Sequence, residues 1–87
     1  MRITHSKQFK KQYEKLGPKL KARVRERIVL FLESPFNPVL ENHPLHGKYS
    51  GFRSINITGD IRLIYETIGD DAVHLALLGT HSQLYGK

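Results

Sequence analysis

The spacing of apolar residues changes period once along this chain, and that change decides what the chain can fold into. Up to Leu32 the apolar residues recur at intervals of three and four, and from Ile55 onward they recur at every second position. The first rhythm belongs to helices with one buried stripe, the second to strands with one buried face. Ser34-Pro35 ends the helical part, because the residue before a proline is driven out of helical backbone. Eighty-seven residues divided in this way make one domain, residues 1–87, with helices covering one face of a small sheet.

In the helical half, Ser6 is suited to cap a helix in which Phe9, Tyr13 and Leu16 share a face. Gly17-Pro18 closes that helix and opens a second, Pro18 to Glu33, with Leu20, Val24, Ile28, Phe31 and Leu32 as its buried stripe. Lysines and arginines fill the other faces, and Arg2–Thr4 forms a short edge strand before them. In the second half, Gly51–Ile57, Ile61–Thr67 and Ala72–Leu78 read as strands joined by turns at Thr58-Gly59-Asp60 and Gly69-Asp70-Asp71. Their parities set Ile55, Ile57, Leu63, Tyr65, Val73, Leu75 and Leu77 against the helices. Asn56, Arg62 and His74 fall on the opposite, partly open face. The expected fold class is α+β: an N-terminal helical hairpin on a small, mainly antiparallel sheet, in the order βααβββ.

Two segments escape periodicity. Pro35 to Ser50 carries His43, His46, Lys48 and Tyr49, and long ordered loops often hold functional groups. After the last strand the chain ends in a tail with His81 and Tyr85.

A net charge of +6 favours a polyanionic partner. The absence of cysteine excludes disulfides, thiolate metal sites and cysteine nucleophiles. The longest apolar run, Ile28 to Leu32, is too short to span a bilayer, and the cationic N-terminus is no secretory signal. A cytoplasmic protein with no membrane partner is therefore expected. His43 and His46 lack the accompanying carboxylates or HExxH pattern of a metal site, and no GxSxG marks a serine hydrolase. No metal and no other cofactor is expected.

Arg62 is the pointed residue. A cation centred in the half-apolar strand Ile61–Tyr65 is costly unless it meets water, a partner or an anion. RNA cleavage without metal suits such a group, because the substrate's 2′-hydroxyl is itself the nucleophile. The protein then has only to move protons and neutralise charge on phosphorus. Histidine can exchange protons near neutral pH, arginine can clamp phosphate oxygens, and tyrosine can stack on a base. His43, Arg62, His81 and Tyr85 supply those types, with Asp60 available to orient a histidine or act as base.

The ordered fragments His43-Pro44-Leu45-x-Gly47, Gly51-Phe52-Arg53, Asp60-x-Arg62-Leu63-Ile64-Tyr65 and Gly79-Thr80-His81-Ser82-x-Leu84-Tyr85 resemble the RelE/ParE superfamily of toxins. The resemblance covers essentially the whole chain and is nearest to the YafQ branch, with a YoeB-like feature at Arg62. It implies a RelE-like fold and a ribosome-dependent mRNA endoribonuclease that inhibits translation, is held inactive by a cognate antitoxin, and contacts 16S ribosomal RNA. It further implies catalytic roles: His43 as general base or orienting group, Asp60 as a functional carboxylate, and Arg62 on the phosphate. His81 would be the general acid on the leaving 5′-oxygen, and Tyr85 an assisting aromatic. Lys48, Arg53 and Asn56 are placed as RNA-binding groups.

Three positions depart from the family pattern. Asn56 stands where a histidine is usual, Ile61 where an aromatic is, and Leu77 where an arginine is. Strong catalysis then requires a substitute for that arginine: Arg62 is one candidate and Arg53 a second, although its parity faces the helices. Two alternatives accompany this reading: a ParE-like toxin that binds DNA gyrase without chemistry, and a weakened relative retained to bind antitoxin or nucleic acid.

Overall fold

A computed structural model describes residues 1–86. The elements are β1 (Arg2–His5), α1 (Lys7–Glu14), α2 (Pro18–Glu33), β2 (His43–Pro44), β3 (Arg53–Asn56), β4 (Ile61–Ile68), β5 (Ala72–Thr80) and α3 (His81–Tyr85). Short 3-10 turns at Pro38–Leu40 and Gly47–Tyr49 flank β2. The strands form one five-stranded sheet in the order β1-β5-β4-β3-β2, parallel only between β1 and β5. The α+β architecture of helices on a mainly antiparallel sheet is thus as the periodicity indicates. β2 and α3 are additions, each too short to show a period of its own.

The stripe of α2 is narrower than its spacing implies. Val24 and Phe31 are buried and Ile28 packs on them, while Leu20 is half-buried and Leu32 is exposed. Leu32 follows Phe31 directly, and one residue on a helix is a rotation of about 100°, enough to carry it off the face. Phe31 meets Tyr65 edge to face at 4.8 Å between ring centroids, joining α2 to the middle of the sheet. Leu40, from the 3-10 turn after α2, is fully buried in the same core and anchors the start of the loop.

The larger departure lies in β5. Tyr65 pairs with Leu75 but Ile64 pairs with Leu77, so Ala76 is an extra residue in the ladder. Such a bulge reverses the parity of everything beyond it. Leu78 enters the helix-side core, and Leu77 turns to the face that carries Ile64 and Arg62. The expectation that Leu77 packs against the helices is corrected by this single insertion.

The bulge lies where β5 loses its outer partner. β1 ends opposite Leu75, and α1 then supplies what the strand edge needs. Ser6 Oγ donates to the Ala76 carbonyl at 2.6 Å while accepting from Phe9 N at 2.9 Å, so the helix cap is also a bracket on the bulge. Gln12 Oε1 accepts from Leu78 N at 2.7 Å. These side chains satisfy backbone groups that a missing strand would leave unpaired.

Nor is the second face of the sheet open along its length. Ser54, Ile64 and Leu84 are buried there, the last brought in by α3. The C-terminal stretch read as a tail is a docked helix.

Because Ser6 serves α1 and β5 together, Ser6→Ala should lower stability by about 1–2 kcal/mol. Urea unfolding measures this; a loss below a few tenths would mean that the bracket is not needed.

Candidate active site

The site assembles where the bulged end of β5 meets the β3–β4 turn. Arg62 stands opposite Asn56 on β3 and Gly79 on β5, at the middle of three strands. Its Nη1 donates to the Gly59 carbonyl at 3.0 Å and more weakly to that of Thr58 at 3.4 Å. Among the described residues no carboxylate pairs with it, and Nε and Nη2 have no partner. A half-buried guanidinium held by neutral carbonyls keeps its charge available to an anion.

Gly79 has a steric reason. A Cβ there would lie 2.8 Å from Gln83 Oε1 and would displace the side-chain end that closes the turn into α3. The turn is closed by a capping box: Gln83 N donates to Thr80 Oγ1 at 3.1 Å, and Thr80 N to Gln83 Oε1 at 2.9 Å. His81 is thereby set at the first helical position. One turn later Tyr85 lies beside it, ring centroids 4.6 Å apart. Tyr49 packs edge-on against Tyr85 at 5.7 Å and donates its hydroxyl to the Leu84 carbonyl at 2.7 Å. Lys48 places its ammonium 5.2 Å from the Tyr49 ring. The loop before β3 and α3 are thus fastened to one another.

The remaining wall is β2. It pairs with β3 as His43 with Ser54 and Pro44 with Arg53. His43 Nδ1 lies 2.7 Å from the Glu41 carbonyl. A carbonyl only accepts, so Nδ1 carries a proton, and in the neutral ring Nε2 is the basic nitrogen.

A cleft of about 390 Å³ is lined by His43, Pro44, Leu45, His46, Arg62, His81 and Tyr85. His43, Arg62 and the His81–Tyr85 turn, distant from one another in sequence, are therefore brought together. The other expected site residues stand elsewhere. Asp60 is exposed on the β3–β4 turn, its amide bonded to Thr58 Oγ1. Asn56 is beside Arg62 in register but does not line the cleft, and Lys48 lies behind Tyr49. Arg53 shares the helix-side face with Tyr65 and bonds Asn42. His74, expected on the site face, bonds Thr4 near the other end of β5. Among the described residues no three His, Asp or Glu side chains converge as metal ligands would.

The sequence places His46 and Tyr49 in the loop that walls the site but gives neither a role of its own; His46 lines the cleft and Tyr49 is a brace. The latter had no local signal, but Thr80-His81-Ser82-Gln83 matches the capping-box pattern and Gly86, left-handed at φ 72°, ends the helix it starts.

Comparison with known proteins follows the same geometry. A family model described as "Bacterial toxin of type II toxin-antitoxin system, YafQ" matches residues 1–86. The chain belongs to the YafQ family of bacterial toxins. The mRNA interferase toxin YafQ of Escherichia coli strain K12 is 35% identical over 52 residues, 60% of this chain. That stretch spans only 55% of the curated relative. The crystal structure of YafQ from E. coli strain BL21(DE3) superposes with a TM-score of 0.81 at 28% identity, covering 99% of this chain and 100% of that one. The E. coli DinJ–YafQ toxin–antitoxin complex contains a chain 25% identical, with a TM-score of 0.74, covering 97% and 96%.

Within the YafQ frame the bulge acquires meaning. It directs Leu77, where the family resemblance implies an arginine, to the site face of the sheet. Arg62 is the one guanidinium that lines the cleft among the described residues.

Removing the Tyr49 hydroxyl leaves the ring contacts but frees the end of α3. Tyr49→Phe should speed amide exchange in residues 83–86 by about fivefold to tenfold, the equivalent of one ordinary hydrogen bond. Unchanged exchange there would mean that the capping box and Leu84 hold the helix without it.

Proposed function

We propose that this chain, as one toxin domain, is an mRNA endoribonuclease that cuts without metal and acts on translating ribosomes in the cytoplasm. The observation that carries the reading is the meeting of His43, Arg62, His81 and Tyr85 in one cleft. In the step envisaged, His43 Nε2 takes the proton of an RNA 2′-hydroxyl, and the freed oxygen attacks the adjacent phosphorus. The bond from phosphorus to the 5′-oxygen breaks as the His81 imidazolium protonates that oxygen. The products are a 2′,3′-cyclic phosphate and a 5′-hydroxyl end. Arg62 neutralises the charge that builds on the phosphoryl oxygens, through the nitrogens its carbonyl contacts leave unused. Tyr85 offers a face on which a splayed base can stack.

Asp60 lies outside this proton relay, and its exposed carboxylate is left to accept from hydroxyls and base edges of the bound RNA. Asn56 and Lys48, beside and behind the cleft, extend the RNA contact. Dependence on the ribosome is what the resemblance to YafQ-like toxins implies. The cationic helical hairpin suits 16S ribosomal RNA, which would hold toxin and mRNA together. A cognate antitoxin is inferred by analogy with the DinJ–YafQ complex. Its acidic or apolar C-terminal segment would cover the cleft and fold as it does so.

A weakened relative is the second reading, favoured by Leu77 on the site face in place of arginine. A gyrase-binding role gives the two histidines no task.

Mapping of mRNA 5′ ends after brief induction separates these readings. The wild type should generate new 5′-hydroxyl ends within coding frames, and His81→Ala and Arg62→Ala should each lower their yield by about 10²–10³. Growth arrest with both variants fully active, or arrest without new ends, would overturn the ribonuclease reading.

A further inference from the structure

The loop that delivers His43 is tied down by a side chain with no role so far. Asn42 Nδ2 donates to the Pro35 carbonyl at 3.0 Å and to the Tyr65 hydroxyl at 2.8 Å. Its Oδ1 accepts from Arg53 Nε at 2.8 Å. Tyr65 is a core residue, and Arg53 is steadied on its other side by the Phe36 ring, 5.3 Å away. One amide therefore joins the start of the loop, the end of the loop and two strands of the sheet.

The neighbours of Asn42 explain why such a tie is needed. Glu41 has φ 47° and ψ 46°, and among the described residues it alone is left-handed without being glycine. That backbone costs about 1–2 kcal/mol and persists only where the surroundings impose it. It is this strained residue whose carbonyl meets His43 Nδ1. Released from the strain, Glu41 would swing its carbonyl away, and the His43 ring would be free to exchange tautomers.

We propose that Asn42, held by Arg53 and Tyr65, is a positioning residue for RNA cleavage. It keeps Glu41 left-handed, so that the Glu41 carbonyl fixes His43 with Nδ1 protonated and Nε2 as the base. The proposal rests on the ribonuclease reading above. It gives Arg53 a task different from RNA contact: its Nε serves Asn42 from the helix side of the sheet.

The test has two readouts. Nitrogen-15 spectra of the histidine rings, at a pH where they are neutral, report the tautomer without any RNA. Wild-type protein should show His43 protonated at Nδ1. Asn42→Ala and Arg53→Ala should show a mixture of tautomers, and Arg53→Lys, which can still donate to Oδ1, should restore the wild-type signal. Tyr65→Phe keeps the core ring and removes only the hydroxyl; it should also give a mixture, and it serves if Asn42→Ala does not fold.

In cleavage assays Asn42→Ala and Arg53→Ala should lower kcat by about tenfold to hundredfold at unchanged KM. The salt dependence of binding to a 2′-deoxy analogue should stay at the wild-type slope. An Arg53 that touched phosphate would instead reduce that slope by about one, which would overturn its assignment to the latch. A wild-type ring protonated at Nε2, or a variant without the latch whose tautomer is unchanged, would overturn the proposal whatever the cleavage assay gives. The expected tautomers in a protein that cuts no RNA would leave the latch standing and remove the ribonuclease reading instead.

Discussion

The pairing of β4 with β5, with Ala76 inserted, is the interaction on which the rest of the molecule depends. Before the bulge, Val73 and Leu75 face the helices; after it, Leu78 does, and Leu77 and Gly79 face the other way. A strand in strict alternation would put Gly79 on the helix side and a large side chain opposite Arg62. With the bulge, the space opposite the guanidinium is empty of side chain, and α3 can turn into it. The position of His81 follows from that turn. Ser6 therefore matters beyond its own helix, since its hydroxyl bonds the inserted residue.

The two halves of the site are held in different ways, and their chemistry reflects this. The half with His81 and Tyr85 rides on a helix of five residues, braced by a capping box, the buried Leu84 and the Tyr49 hydroxyl. Isolated helices so short do not persist in water, so tertiary contacts must supply the order. The half with His43 is backbone under strain, tied by side-chain hydrogen bonds to the core. Between them Arg62 sits on β4, flanked by β3 and β5 and bound only to neutral carbonyls. A cation between two held imidazoles is an arrangement suited to a migrating proton and a transient excess of negative charge.

Much of this could be read from the residues. The two helices, the hairpin Ile55–Tyr65 and the placement of Arg62 away from the helices follow from spacing alone. The parity of β5 could not, because Leu75-Ala76-Leu77-Leu78 is apolar throughout and either register buries a leucine. The exposure of Leu32 reflects the narrowness of the contact between α2 and the sheet, which a stripe of apolar residues does not reveal. β2, of two residues, is defined by its partner β3 rather than by its own composition. Residue chemistry groups His43 and His81 with Arg62, and the resemblance to known toxins strengthens that grouping, but periodicity does not bring them together. Spacing places Arg62 on a face, but not the loop and the terminal segment that close over it. Asn42 left no trace in pattern, being one asparagine in an aperiodic loop whose bonds run to Pro35, Arg53 and Tyr65.

The central claim is that two imidazoles and one guanidinium share a single phosphodiester. It is tested most directly by titrating the protein with a short RNA carrying a 2′-deoxy sugar at the cleavage position, following the side-chain nitrogen signals of His43, His81 and Arg62. The account predicts that all three shift together, with one common midpoint. Signals that respond at separate midpoints, or a His43 or His81 that does not respond while Arg62 does, would contradict it.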